Sequence, residues 1–204
     1  MGLSRVKRAL HALDNPCKDI PAIQIVGTNG KGSITAFTES ILFEAKKNIG
    51  VTTSPHLFRI TERIRVNKKN IGEKEFEQIF QLLEKNSSTY ELTPFEKIIC
   101  CAFKFFEKKQ VELLILEAGL GGRLDATTAH KLRPIIAIGN IGLDHQEFLG
   151  ETIEKIAHEK LAVIEKNSIV ISSTQNKNVK NLIEKRVYEV GAEIIWKDSL
   201  PNKY

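Results

Sequence analysis

The sequence is poor in cysteine, in aromatic residues and in long apolar runs, and each shortage removes a class of protein. Only three cysteines occur in 204 residues. Cys17 stands alone and Cys100–Cys101 are adjacent inside an apolar, helix-like stretch, so no metal-ligand spacing arises and the thiols read as small buried hydrophobes. Aromatic residues make up 7% of the chain and are not interleaved with a basic cluster. A base-stacking platform is therefore not indicated, and no nucleic-acid partner is expected, although the net charge is +5. The lysines are spread along helix faces, which favours anionic small molecules instead.

No apolar run reaches membrane-spanning length. The longest, around Leu113–Leu116 and Ile135–Ile138, suit buried strands. The N-terminal "MGLSRVKRALHAL" is basic and amphipathic, but it lacks the apolar core and small-residue cleavage site of a signal peptide. A cytoplasmic protein with no membrane partner is expected. There is no internal repeat, linker or low-complexity segment, and the length suits one ordinary domain.

What is present is alternation. Strands are expected at Ile23–Val26, Gly50–Thr53, Leu113–Glu117, Ile135–Ile138, Ser168–Ser172 and Glu193–Trp196. Helices are expected at Ser33–Lys47, Glu73–Lys85, Pro94–Lys108, Glu151–Glu165 and Asn178–Val190. In the first of these helices Ile34, Phe37, Ile41 and Leu42 form the apolar side. Thr93 caps the third, with Pro94 at its first position. The stretch "TSPHLFRITERIRVN" reads as a loop. Strands apolar throughout and separated by helices imply an α/β domain of P-loop type, three layers deep, with a mainly parallel sheet and helices on both faces.

In such sheets ligands sit beyond the carboxyl ends of the strands. The polar clusters Gly27–Ser33, Thr53–His56, Glu117–Asp125 and Asp144–His145 all fall at those ends. The first, "GTNGKGS", has the parts of a phosphate cradle: glycines that let backbone N–H groups close on oxygens, a following helix, a lysine and a hydroxyl. It departs from the usual expression, because position 25 is Ile and Gly32 separates Lys31 from Ser33. A tight strand-to-helix turn with a solvated lysine is the competing reading. Glu117, closing "LLILE", stands where a magnesium ligand is wanted beside such a loop; an exposed strand-end carboxylate is the alternative. By themselves His145 would pass as structural and Lys160 as a helix-surface lysine.

Taken together, "GTNGKGS", "TSPHL…ITERIRVN", "LEAGLGGRLDAT" and "IGLDHQEFLGETIEKIAHEK" resemble, in order and spacing, the folylpolyglutamate synthase/dihydrofolate synthase family of the Mur ligase superfamily. The resemblance covers nearly the whole chain, "GLSRVKRALHALDNP" included. It implies an ATP-dependent ligase that adds L-glutamate to dihydropteroate or folates through an acyl phosphate, in folate biosynthesis and one-carbon metabolism. It implies that Gly27, Thr28, Asn29, Gly30, Lys31, Gly32 and Ser33 hold ATP, and that Ser54, Glu117 and His145 hold magnesium. It further implies a carbamylated Lys160, catalytic roles for Lys31, His145 and Lys160, and substrate contacts from Gly2, Leu3, Leu124, Asp125 and Ala126.

Family members are about twice as long and add a C-terminal domain that contributes to the adenosine and glutamate sites. Residues 1–204 are accordingly expected to form an incomplete N-terminal ATP-binding domain with the glutamate-ligase domain absent. The expected state is a monomer, unless a separate chain supplies that domain. Two other readings stay open: another Mur-type amino-acid ligase, against which "TSPHL" paired with "ERIRVN" argues, and a non-catalytic nucleotide-binding remnant. Where the family usually has Ala-Gly after the carbamylated lysine this chain has Leu161–Ala162, so Leu161 is expected to crowd Lys160. Gly139–Asn140 replaces a more usual Thr/Ser pair and is expected to loosen that strand end.

Overall fold

The computed structural model describes residues 2–85, 91–173 and 175–197; the closing "DSLPNKY" lies outside them. The chain begins with helix α1 (Ser4–Ala12) and strand β1 (Ala22–Val26), followed by α2 (Lys31–Glu44) and β2 (Ile49–Thr52). Short strands β3 (Ile64–Val66) and β4 (Lys69–Asn70) precede α3 (Glu73–Lys85), α4 (Pro94–Lys108) and β5 (Leu113–Glu117). Then come β6 (Ile135–Ile138), a single turn α5 (Gln146–Leu149), α6 (Ile153–Leu161), β7 (Ile169–Ser173), α7 (Lys177–Val190) and β8 (Glu193–Lys197).

The strands form one eight-stranded sheet in the order β4-β3-β2-β5-β1-β6-β7-β8. All neighbours from β2 to β8 in that order pair parallel, whereas β3 pairs antiparallel to both β2 and β4. The stretch expected as one loop therefore contains β3. Its "IRV" is too short to announce itself by alternation, and it forms because Thr52, Val51 and Gly50 offer an open edge.

Side chains alternate across the central strands. In β1 and β5, Ile23, Ile25, Leu113 and Ile115 face α2, and Ala22, Leu114 and Leu116 face the core made by α1, α3 and α4. The basic, amphipathic N-terminal helix spends its apolar side there, burying Val6, Ala9 and Leu10. A further core joins β6 and β7 to α6 and α7. The three cysteines are buried and free, and burial pushes each thiol up to about 12.

Helix α2 corrects one expectation. Phe37 and Ile41 are 70% and 69% exposed, while Thr35 and Glu39 are buried. The cause is a buried ion pair: Arg65 Nη2 of β3 donates to Glu39 Oε2 at 2.8 Å, with its Nε 3.2 Å from both carboxylate oxygens. Seating Glu39 against β3 turns the helix so that Ile34 and Leu42 flank the buried face and Phe37 and Ile41 leave it.

A candidate active site: a phosphate loop beside an apolar cavity

β1 lies between β5 and β6, and β2 lies beyond β5, so the carboxyl ends of four parallel strands stand side by side. The polar clusters that follow those strands converge there. Between β1 and α2, Gly27 has φ +148° and Gly30 +84°, values that L side chains rarely adopt. A side chain on Gly27 would also begin 3.0 Å from the Gly139 backbone. The loop is braced by its neighbour: Thr28 N and Asn29 N donate to Asn140 O at 2.7 and 3.2 Å. Thr28 Oγ1 donates to Gly142 O at 3.0 Å and accepts from Gly142 N at 3.1 Å.

The strand end at Gly139–Asn140 is therefore tied rather than loosened. Gln175 holds it from behind, accepting from Ile141 N at 3.1 Å and donating to Gly139 O at 3.0 Å. Glycine at 139 has a reason as well, since a Cβ there would stand 2.6 Å from Asn29 O.

Two lysines meet at this loop. Lys31 Nζ donates to Gly27 O and Thr28 O at 3.0 and 3.1 Å. Lys160 Nζ donates to Gly27 O at 2.9 Å. Read alone as a surface lysine, Lys160 is instead 2% exposed. Burial pulls its ammonium down to about 8, and Lys31 pushes the same way against Asp144 and Asp125. The neighbouring Leu161 is buried in the α6–α7 core, so it packs away without crowding Lys160.

Glu117 ends β5 on the α2 face. Burial raises its carboxyl above the usual range, opposed by Lys31, the Ser54 backbone and Arg65. Its Oε2 is buried without a hydrogen-bond partner. Its Oε1 lies 3.9 Å from where a Cβ on Gly32 would stand, so the carboxylate faces the residue after Lys31. Among the described residues no three His, Cys, Asp or Glu side chains gather as a metal cluster. The set Ser54, Glu117 and His145 supplies a hydroxyl, a carboxylate and an imidazole, and its orphaned carboxylate oxygen fits a hard divalent cation. The imidazole is the less usual partner for magnesium. His145 sits in the left-handed region at φ +47°, with Nε2 3.6 Å from Asp144 Oδ2.

Ser54 and His145 also line a cavity of about 790 Å³ that runs from α1 and α4 to the loop after β5. Gly2, Leu124, Asp125 and Ala126 line it; Leu3 does not and packs instead against the α1–α4 core. Part of its wall was missed by reading the sequence: Arg5, Arg63, Phe95 and Phe148 come from four distant segments. Arg63 stood in the quoted "ERIRVN", and only its charge beside a binding motif could have singled it out.

Asp125 is fully engaged within the protein. Its Oδ2 accepts from Gly119 N and Leu120 N at 2.8 and 3.0 Å, and its Oδ1 from Thr127 N and Oγ1 at 3.0 and 2.6 Å. Burial raises this carboxyl, while those bonds favour its charged form. Asp125 thus shapes the wall rather than offering free lone pairs to a ligand.

A glycine-rich turn leaving a central parallel strand, backed by a helix N-terminus and a lysine, defines a phosphate-loop α/β domain. The chain matches the Mur ligase middle domain over residues 25–196 and belongs to that family, within its dihydrofolate synthase/folylpolyglutamate synthase branch. It is 36% identical to the dihydrofolate synthetase of Saccharomyces cerevisiae, over 99% of this chain and 49% of that protein. Identity is 37% to the dihydrofolate synthase/folylpolyglutamate synthase of Bacillus subtilis, over 84% of this chain and 41% of that protein. The structure of E. coli FolC in complex with DHPP and ADP superposes with a TM-score of 0.91 at 32% identity, covering 99% of this chain and 49% of that one. The chain spans about half the length of these relatives. Among the described residues no helix is long and apolar enough to cross a membrane.

Proposed function

We propose that this chain is the nucleotide- and acceptor-binding part of an ATP-dependent ligase that adds L-glutamate to dihydropteroate, to folates, or to both. The observation that carries the reading is that Ser54 and His145 line the apolar cavity while Glu117, bonded by the Ser54 backbone and facing Lys31, links that cavity to the phosphate loop. A flat, aromatic acceptor seated in a cavity of this size, within the range of about 300–1,000 Å³ typical of small-molecule sites, presents its carboxylate to the loop. The likeness to E. coli FolC in complex with DHPP and ADP supports the same pairing of ligands.

In this reading, Gly27–Ser33 cradle the phosphates and the Lys31 ammonium leaves the Gly27 and Thr28 carbonyls for the β- and γ-phosphates. An acceptor carboxylate oxygen attacks the γ-phosphorus, the bond to the β-phosphate bridging oxygen breaks, and ADP departs. The glutamate amine, having lost a proton to solvent, then attacks the acyl carbon; phosphate leaves and an amide remains. The residues act mainly by positioning and charge neutralisation. Magnesium held by Ser54, Glu117 and His145 would supply charge neutralisation at the phosphate oxygens. Carbamylation of Lys160 would place an anion beside Gly27, and a pKa of about 8 leaves part of the amine neutral and reactive toward carbon dioxide. The same reading places the chain in the cytoplasm, as a monomer, with neither nucleic acid nor membrane as partner.

The test is incubation of the purified protein with Mg-ATP, L-glutamate and either dihydropteroate or tetrahydrofolate, read by mass spectrometry. Addition of one glutamate, lost in Lys31→Ala, is the expected result. Folded protein that binds neither nucleotide nor acceptor would overturn the reading. Binding of both without product would confine the chain to the two binding roles.

A further inference from the structure

Gln24 is the one polar side chain in the strand "AIQIV" and it is 0% exposed. Such a residue in the central strand of a sheet costs stability unless every polar atom finds a partner. It does, and the bonds have a direction. Gln24 Nε2 donates to Thr127 Oγ1 at 3.1 Å and to Thr128 Oγ1 at 2.7 Å. With their lone pairs engaged, the two hydroxyls donate onward: Thr127 Oγ1 to Asp125 Oδ1 at 2.6 Å, and Thr128 Oγ1 to Gly122 O at 2.8 Å. Asp125 in turn fixes the Gly119 and Leu120 amides.

On the other side, Gln24 Oε1 accepts from Arg133 Nη1. The buried Arg133 guanidinium is anchored by Glu165 at 2.5 Å. Arg133 thereby sets the orientation of the Gln24 amide: its carbonyl must face the guanidinium, so its NH₂ must face the threonines. The chain Glu165–Arg133–Gln24–Thr127/Thr128–Asp125 ends on the loop that lines the cavity from Gly119 to Ala126.

We infer that Gln24, oriented by Arg133, is a positioning residue that sets the acceptor wall of the cavity from the same strand that launches the phosphate loop. The inference rests on the proposed function for the identity of the acceptor, but not for the existence of the relay. Gln24, Arg133, Thr127 and Thr128 do not line the cavity; they act through Asp125 and the Gly119–Ala126 loop, which do.

The informative variant is Gln24→Glu. The carboxylate keeps a partner in Arg133 but cannot donate, so both threonines turn toward it and release Asp125 and Gly122. Thr128→Val is the milder variant, removing the bond from Gln24 and the bond to Gly122 while leaving the Thr127–Asp125 branch intact, and serves if the first does not fold. Two readouts are taken on each: amide hydrogen exchange, and affinity for dihydropteroate against affinity for Mg-ATP. The expected result in Gln24→Glu is at least tenfold faster exchange at Gly119 and Leu120, with the β5 amides unchanged. Dihydropteroate affinity should fall about tenfold while Mg-ATP affinity stays within about twofold; a merely structural role would weaken both ligands together. Unchanged exchange in both variants overturns the relay. Faster exchange with unchanged dihydropteroate affinity overturns its positioning role. If the wild-type protein binds neither dihydropteroate nor tetrahydrofolate, the proposed function fails, and exchange at Gly119 and Leu120 still decides the relay.

Discussion

The two halves of the site are built in opposite ways. The phosphate loop is one contiguous stretch, Gly27–Ser33, whose geometry comes from glycine backbone conformations and a helix start. The cavity beside it is assembled from side chains of α1, the loop after β2, α4, the loop after β5 and α5. A site made from backbone tolerates almost no added atoms, because its fit is set by how closely two main chains approach. A site made from scattered side chains depends on the networks that aim them.

Added atoms in the loop should have the largest effect. Gly27→Val puts a branched side chain where φ is +148° and the Gly139 backbone is 3.0 Å from the first atom. Nucleotide affinity should fall by about a hundredfold, since the amides can no longer close on a phosphate; calorimetric titration with Mg-ATP reads this. Near-normal affinity would mean that the loop reshapes freely.

The next effect concerns the ion pair that seats α2. Glu39→Ala leaves Arg65, whose side chain is 18% exposed, without its carboxylate. A loss of roughly 3 kcal/mol in unfolding free energy is expected, measured by urea denaturation. A variant as stable as wild type would show that the apolar contacts of α2 with β1, β2 and β5 seat it without the ion pair.

Lys160 makes the stability of the fold depend on pH. Its pKa is lowered by burial from 10.5 to about 8. Between these values the unfolded chain holds a proton that the folded chain has shed, so raising the pH through that window favours the fold. The thermal midpoint of wild type relative to Lys160→Met should therefore rise between pH 8 and pH 10 and be flat below pH 7. A constant difference across the range would place the ammonium in solvent. Smallest of all, Glu184→Gln removes the exposed pair with Lys180 at 3.9 Å on α7. It should change stability by less than about 0.5 kcal/mol.

The same contrast explains what could be read from the sequence. The phosphate loop was legible because its parts are neighbours in the chain and each has a local physical purpose. Glu117 was legible because strand ends in a parallel sheet converge. The cavity was not: nothing local links Arg5, Arg63, Phe95 and Phe148, and the sheet alone brings them together. Nor did periodicity foresee the rotation of α2, because Glu39 is buried only through Arg65 on a strand too short to detect. Lys160 carries the clearest lesson. Its residue type suggests a surface position, although Ile156, Ala157 and Leu161 beside it on α6 are buried, and the approach of α6 to Gly27 gives its ammonium a partner.

The account rests most heavily on the claim that Lys31 and the glycines around it form a nucleotide site. The direct measurement is calorimetric titration of Mg-ATP into the wild-type protein and into Lys31→Ala, both shown to be folded by circular dichroism. One-to-one saturable binding in the wild type, abolished in Lys31→Ala, is the predicted result. Absence of saturable binding to the folded wild type, or equal binding by both proteins, would contradict it.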